Sequence, residues 1–126
     1  MIGGRENVLY EKAYAFALRV IKAYRFLTVE QREYVLSKQL LRCGTAIGAN
    51  IAEANGAISD ADFSAKMSIA YKESLETKYW LSLLHDSEFI SSKIFDSILP
   101  DADELSKMLF TTIRSTRTLK STLPPK

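Results

Sequence analysis

The chain has 126 residues and a mass of 14.2 kDa, room for one domain and little more. At 47% hydrophobic and 25% charged residues it has the composition of a globular protein with a real core, and five Gly and three Pro argue against a many-turned all-β fold. The longest stretch without a formal charge, Cys43 to Ala52, is ten residues and too short to span a bilayer. The first residues, Met-Ile-Gly-Gly-Arg-Glu-Asn, meet charge at once and carry no apolar signal core. A single cysteine, Cys43, rules out an internal disulfide, and with a single histidine, His85, the chain cannot assemble a His/Cys zinc site. The expectation is a cytoplasmic protein with no cofactor, no metal and no membrane partner.

The net charge of +2 conceals three blocks. Residues 1–52 hold eight basic and four acidic side chains, residues 53–104 hold four and eleven, and residues 105–126 hold five and none. Such blocks can cancel within the fold, between subunits or against an outside partner.

Four helical stretches are read in chain order. The first covers about 6–27: Leu9, Ala13, Phe16, Val20 and Leu27 share one face, and Tyr10, Tyr14, Ala17, Ile21 and Tyr24 the adjoining one. That apolar surface is wide enough for more than one neighbour. The second covers about 30–54, with Leu36, Leu40, Cys43, Ile47, Ile51 and Ala54 as its apolar stripe and Asn55-Gly56 as its stop. Gly44, Gly48 and Ala52 form a ridge of small residues on it, read as a site of close packing with another helix. The third, about 60–86, opens with a Ser59 cap and Asp62 three residues on, and carries a seam of Phe63, Met67, Ala70, Ser74, Thr77, Leu81 and Leu84. The fourth, about 92–119, carries Ile94, Ile98, Leu105, Met108, Leu109 and Ile113, and Pro100 predicts a kink or break inside it. Residues 120–126 read as a tail. Helices of this length with short connections predict an all-α, antiparallel up-down-up-down four-helix bundle.

Catalytic templates find little purchase. If the second and third helices form a hairpin about residues 55–58, Gln39 meets the neighbourhood of Glu76 and Arg42 that of Glu73. Gln39, Arg42, Asn50, Glu53, Glu73 and Glu76 are therefore read as a structural polar network, an Arg fork between carboxylates. The competing reading makes Glu73 or Glu76 an acid/base or metal-binding carboxylate. Di-metal bundles need Glu-x-x-His pairs, and Ser82 stands three residues before His85. Cys43 lies on an apolar stripe and reads as core, and His85 as a partner of the last-turn carbonyls of its helix. No catalytic residue is assigned.

The basic residues are more suggestive. Arg5, Lys12 and Arg19 recur every seven on the first helix, and Lys107, Arg114, Arg117 and Lys120 follow the last acid, Glu104. In an up-down bundle these two groups lie side by side. Arg5, Lys12, Arg19, Arg114, Arg117 and Lys120 are the candidate nucleic-acid contacts, binding phosphates without a base-reading element. The plainer alternative is that cations near a helix C-terminus complement its dipole.

The segment Gln39-Leu-Leu-Arg42-Cys-Gly-Thr-Ala-Ile47-Gly-Ala-Asn50-Ile-Ala-Glu53-Ala resembles the signature of the rRNA intervening-sequence proteins. Those four-helix bundles carry Gln-x-x-Arg followed by Ser-Ile-x-x-Asn-Ile-Ala-Glu-Gly on the second helix. Ala54 stands where the family has Gly, and Gly56 remains to end the helix. Asp62-Phe63, Ser68-Ile69-Ala70 and Glu76 resemble the family's third helix. The resemblance implies a small bacterial cytoplasmic protein, often encoded within intervening sequences of large-subunit rRNA genes. It also implies a barrel-like homopentamer, and kinship to the accessory variability proteins of diversity-generating retroelements, which bind nucleic acid and a reverse transcriptase. The leading expectation is a non-catalytic homo-oligomer that binds RNA or DNA by its basic surface. A protein-interaction scaffold using the acidic block is second, and an enzyme using Glu73 or Glu76 third.

Overall fold

The computed structural model describes residues 5–122, and the side chains of residues 8–116. Four helices account for nearly all of them: α1 (Arg5–Val29), α2 (Leu36–Asn55), α3 (Asp60–Asp86) and α4 (Ser92–Thr122). There is no strand among the described residues. Each helix packs on the next in the chain, and α1 also packs on α4, which closes a helical bundle.

The core is where the apolar periodicity meets. Leu9, Ala13, Phe16, Val20 and Leu27 of α1 are buried with Leu40, Cys43, Ile47 and Ile51 of α2. Met67, Ala70, Leu81 and Leu84 of α3 join Ile98, Ala102, Leu105 and Leu109 of α4. The middle of α3 is small and polar yet buried: Ser74 Oγ lies 2.8 Å from Ser106 Oγ of α4 and donates to the Tyr71 carbonyl, while Thr77 donates to the Glu73 carbonyl. Small side chains satisfied locally let these two helices approach without orphaned hydroxyls. Gly44 and Gly48 face α1. A Cβ at Gly44 would sit 2.8 Å from both Val20 Cγ atoms, so only glycine fits the approach there. Ala52, read with them as one ridge, is exposed.

Three boundaries depart from the sequence reading. α1 runs two residues further, to Val29, α2 starts at Leu36 rather than near residue 30, and α4 continues to Thr122 rather than 119, so the expected tail begins no earlier than residue 123, outside the described residues. Arg32 takes a left-handed φ of 53°, which ends the first helical run. Glu33 then receives the backbone N–H groups of Val35, Leu36 and Ser37 on its carboxylate, at 3.1, 2.9 and 2.6 Å, and so organises the first turn of α2 from outside it. Partial burial raises the Glu33 pKa, but those backbone donors outweigh it and hold the carboxyl below its usual value.

The break expected at Pro100 does not occur, and α4 is one helix through it. Proline withholds the N–H that would bond the Asp96 carbonyl. Across this turn Arg19 of α1 donates to the Ser97 carbonyl at 3.0 Å, to Ser97 Oγ at 2.7 Å and to Asp101 Oδ2 at 2.6 Å. Ile98 and Ala102, on the adjoining face of the same turns, are buried, while Pro100 itself is exposed.

Candidate functional site

Two arrangements of side chains stand outside the core. The first lies along the α2–α3 seam. Arg42 projects from α2 and meets two carboxylates one turn apart on α3: Nη1 is 3.4 Å from both Glu73 oxygens, and Nη2 bonds Glu76 Oε2. Gln39 Oε1 accepts from Arg42 Nε at 3.5 Å, the long edge of a hydrogen bond, and Trp80 Nε1 donates to Glu76 Oε2 at 3.0 Å. The Trp80 N–H and then Arg42 pull the Glu76 pKa below its ordinary value, and the Glu76 bond raises that of Arg42. A carboxylate so engaged is a fixed acceptor, poorly suited to carry protons at neutral pH. The Arg42 side chain is 48% exposed against 19% for Glu73, so this is a half-solvated latch and not a buried ion pair.

Asn50 and Glu53 do not belong to that network. The Asn50 amide donates to the Ala46 carbonyl one turn back, and Glu53 pairs with Lys66 at 2.9 Å. Reach decides this: toward the hairpin turn, Glu53 faces an early lysine of α3 in place of an arginine. His85 does not bond the last-turn carbonyls. Its ring stacks on Phe95 with centroids 4.4 Å apart, and its nitrogens meet Asp86 Oδ1 and Ser92 Oγ at 3.1 and 3.0 Å, tying the end of α3 to the start of α4. Cys43 is fully buried, and burial pushes its thiol pKa up, which makes it inert. Among the described residues no group of three or more His, Cys, Asp or Glu side chains is placed to hold a metal ion.

The second arrangement concerns the cations. Lys12 pairs with Glu104 at 3.4 Å, and Arg19 is committed to α4 as described. Two of the four α1 cations whose side chains are described, Lys12 and Arg19, therefore engage acids of the 53–104 block. Lys78 and Lys107 share Asp103, at 3.2 and 3.1 Å. Arg114 differs. Its guanidinium lies 5.9 Å from the centroid of the Phe110 ring, and no carboxylate pairs with it among the described residues. Phe110 in turn meets Tyr71 of α3 with ring centroids 5.9 Å apart. The side chains of Arg5, Arg117 and Lys120 lie outside the described residues. Sequence reasoning overlooked Tyr71 and Phe110, although Lys107, Phe110 and Arg114 at spacings of three and four place an aromatic between two cations on one helix face.

The 23S rRNA-intervening sequence protein family profile matches residues 5–111, including Arg42, Glu73 and Glu76. The chain belongs to that family. The match stops short of Arg114, so this member's most cationic stretch lies beyond it. A solved protein of unknown function from the S23 ribosomal protein family of Bacteroides thetaiotaomicron VPI-5482 is 48% identical, with a TM-score of 0.86 over 88% of this chain and 99% of its own. No curated protein matches. For this family member, no helix among the described residues is long and apolar enough to cross a membrane.

Proposed function

We propose that this member of the 23S rRNA-intervening sequence protein family is a non-catalytic, cytoplasmic homo-oligomer that binds RNA or DNA through basic surface residues with little sequence preference. Its subunits are antiparallel up-down-up-down bundles, assembled as a barrel-like pentamer. The order of the cross-helix pairs supports the antiparallel arrangement. Lys12 and Arg19 of α1 pair with Glu104 and Asp101 of α4, and Arg42 and Glu53 of α2 with Glu76 and Lys66 of α3, so partner numbers fall as the first number rises. Support for self-association comes from apolar side chains left on the surface, among them Tyr14 of α1 and Ile69 and Tyr79 of α3.

One observation carries the nucleic-acid reading. Six of the eleven acids of the 53–104 block pair with Lys12, Arg19, Arg42, Lys66, Lys78 or Lys107, whereas residues 105–126 bring five cations and no acid, and Arg114 lies over the Phe110 ring with no carboxylate partner among the described residues. Arg114, Arg117 and Lys120 lead the contact set, with Arg5 from the neighbouring end of α1. Lys12 contributes from a weak, exposed pair, and Arg19 is not retained. Repetition around an oligomer multiplies individually weak phosphate contacts.

Titration of labelled single- and double-stranded RNA and DNA at two salt concentrations tests this. The expected result is binding at low salt with a steep salt dependence, less steep by about 0.7 to 0.9 for each phosphate contact removed in Arg114→Ala/Arg117→Ala. Absence of binding at low salt, or binding unchanged in that double variant, would shift the assignment to a protein-interaction scaffold. A monomer mass by light scattering at micromolar concentration would refute the oligomer.

A further inference from the structure

We infer that the outer α3–α4 face is a stacking platform for unpaired bases, so that the nucleic acid this protein takes is single-stranded. Tyr71 and Phe110 supply the aromatic surface, and Lys107 and Arg114 the flanking phosphate contacts. The inference rests on the nucleic-acid reading above and narrows it to one ligand class and one surface.

Phe110 is 48% exposed although Leu109 and Ile113 on the same helix are buried, so its ring is not needed to fill the core. It sits with Tyr71 on a shallow groove of about 390 Å³ between α3 and α4, walled by Leu75 and Thr111. The two rings are tilted by 46° to one another, with centroids 5.9 Å apart, so they are not stacked face to face. A cation lies against the Phe110 ring: Arg114, 5.9 Å from the centroid and itself exposed. Lys107, one turn earlier, is 78% exposed, and its bond to Asp103 is a surface pair that a phosphate can replace. Aromatic faces flanked by cations are what an unpaired strand requires, since every base has a π-face and every linkage a phosphate. A duplex offers the phosphates but hides the faces.

Charge also bears on the occupant. A second copy docked two-fold on this strip would bring the Lys107–Arg114 cations of one copy against those of the other, and the α4 sequence beyond adds Arg117 and Lys120 without an acid. A polyanion meets no such repulsion.

The test uses the full chain with a single-stranded oligonucleotide carrying 2-aminopurine, its duplex counterpart, and the variants Phe110→Ala and Phe110→Trp. For wild type and Phe110→Trp the single strand binds more tightly than the duplex, and the 2-aminopurine emission is quenched on binding. For Phe110→Ala the single-strand affinity falls by about tenfold or more, the quenching is lost, the duplex affinity is unchanged, and the salt slope stays as in wild type. Single-strand binding by Phe110→Ala equal to wild type overturns the platform and leaves the nucleic-acid reading standing. A wild type that binds neither strand form overturns both. Loss of binding together with a changed oligomer mass in Phe110→Ala overturns the platform and assigns the face to a subunit contact.

Discussion

The two flanks of α2 present opposite solutions to helix packing. Toward α1 the helix has no side chain at Gly44, and the contact is dry and steric, with Val20 filling the space a Cβ would take. Toward α3 it extends one of the longest side chains available, and Arg42 reaches Glu73 and Glu76 across a half-solvated seam. The first flank sets distance and tolerates nothing added. The second sets register through charge, and its strength depends on salt and pH. The lesson is that a close approach between helices is determined by what is missing, while a latch at the edge adjusts the energy by a small amount.

The steric flank is the easier to break. Gly44→Val should destabilise by about 3 kcal/mol, because Val20 is β-branched and cannot rotate clear of the added atoms. The urea midpoint should fall equally at low and high salt. Next in size is the turn that enters α2. Glu33→Ala leaves three backbone N–H groups without their carboxylate and should cost about 1 to 2 kcal/mol at pH 7, the scale of a lost helix cap.

This loss has a definite pH signature. The folded-state pKa of Glu33 lies below its unfolded value, so its charge contributes fully above the unfolded value of about 4.3 and fades as pH falls through the lowered folded value. The stability gap between wild type and Glu33→Gln, followed by urea unfolding from pH 6 to pH 3, should therefore narrow toward acid. A gap that is constant or widens would contradict the capping role.

The polar flank should respond more mildly. Arg42→Ala should lower stability by about 1 kcal/mol, discounted for its exposure, and a double-mutant cycle with Glu76→Gln should return a coupling of about 0.5 kcal/mol that shrinks in high salt. Nucleic-acid binding by Arg42→Ala should keep the wild-type salt slope. The smallest effect sharpens the comparison from within the steric flank. At Gly48 an added Cβ meets Ala13 Cβ at 3.6 Å, ordinary contact, so Gly48→Ala should gain up to about 1 kcal/mol from helix propensity. Opposite signs at two glycines one turn apart, measured as thermal midpoints, would establish that Gly44 alone sets the α1–α2 distance.

The all-α class and the four helices follow from local pattern. Apolar residues at spacings of three and four, a Ser59 cap whose Oγ accepts the Asp62 N–H, and a stop at Asn55-Gly56 are all properties of neighbours in sequence. The meeting of Arg42 with Glu73 was legible for a related reason, since a tight hairpin pairs residues by a constant sum of numbers. The start of α2 was not. Nothing in Glu30 to Val35 forbids a helix, and the turn depends on one carboxylate gathering three N–H groups in space.

What the chain by itself determined is which faces are apolar and which stretch carries cations without acids, because both are set by composition at fixed helical spacing. The partners of its charges were decided only in the folded bundle. Lys12 and Arg19 share the seven-residue spacing of a binding strip, yet both turn to carboxylates of α4, Glu104 and Asp101, 92 and 82 residues away in the chain. Pro100 stays within a continuous helix, with Arg19 bonded across the turn it weakens. Phe110 is exposed beside buried Leu109 because the rotation of α4 against its neighbours turns that face outward. Helix periodicity is a short-range property of the backbone, whereas ion pairing and exposure depend on which surfaces the packing of four helices brings within a few ångströms.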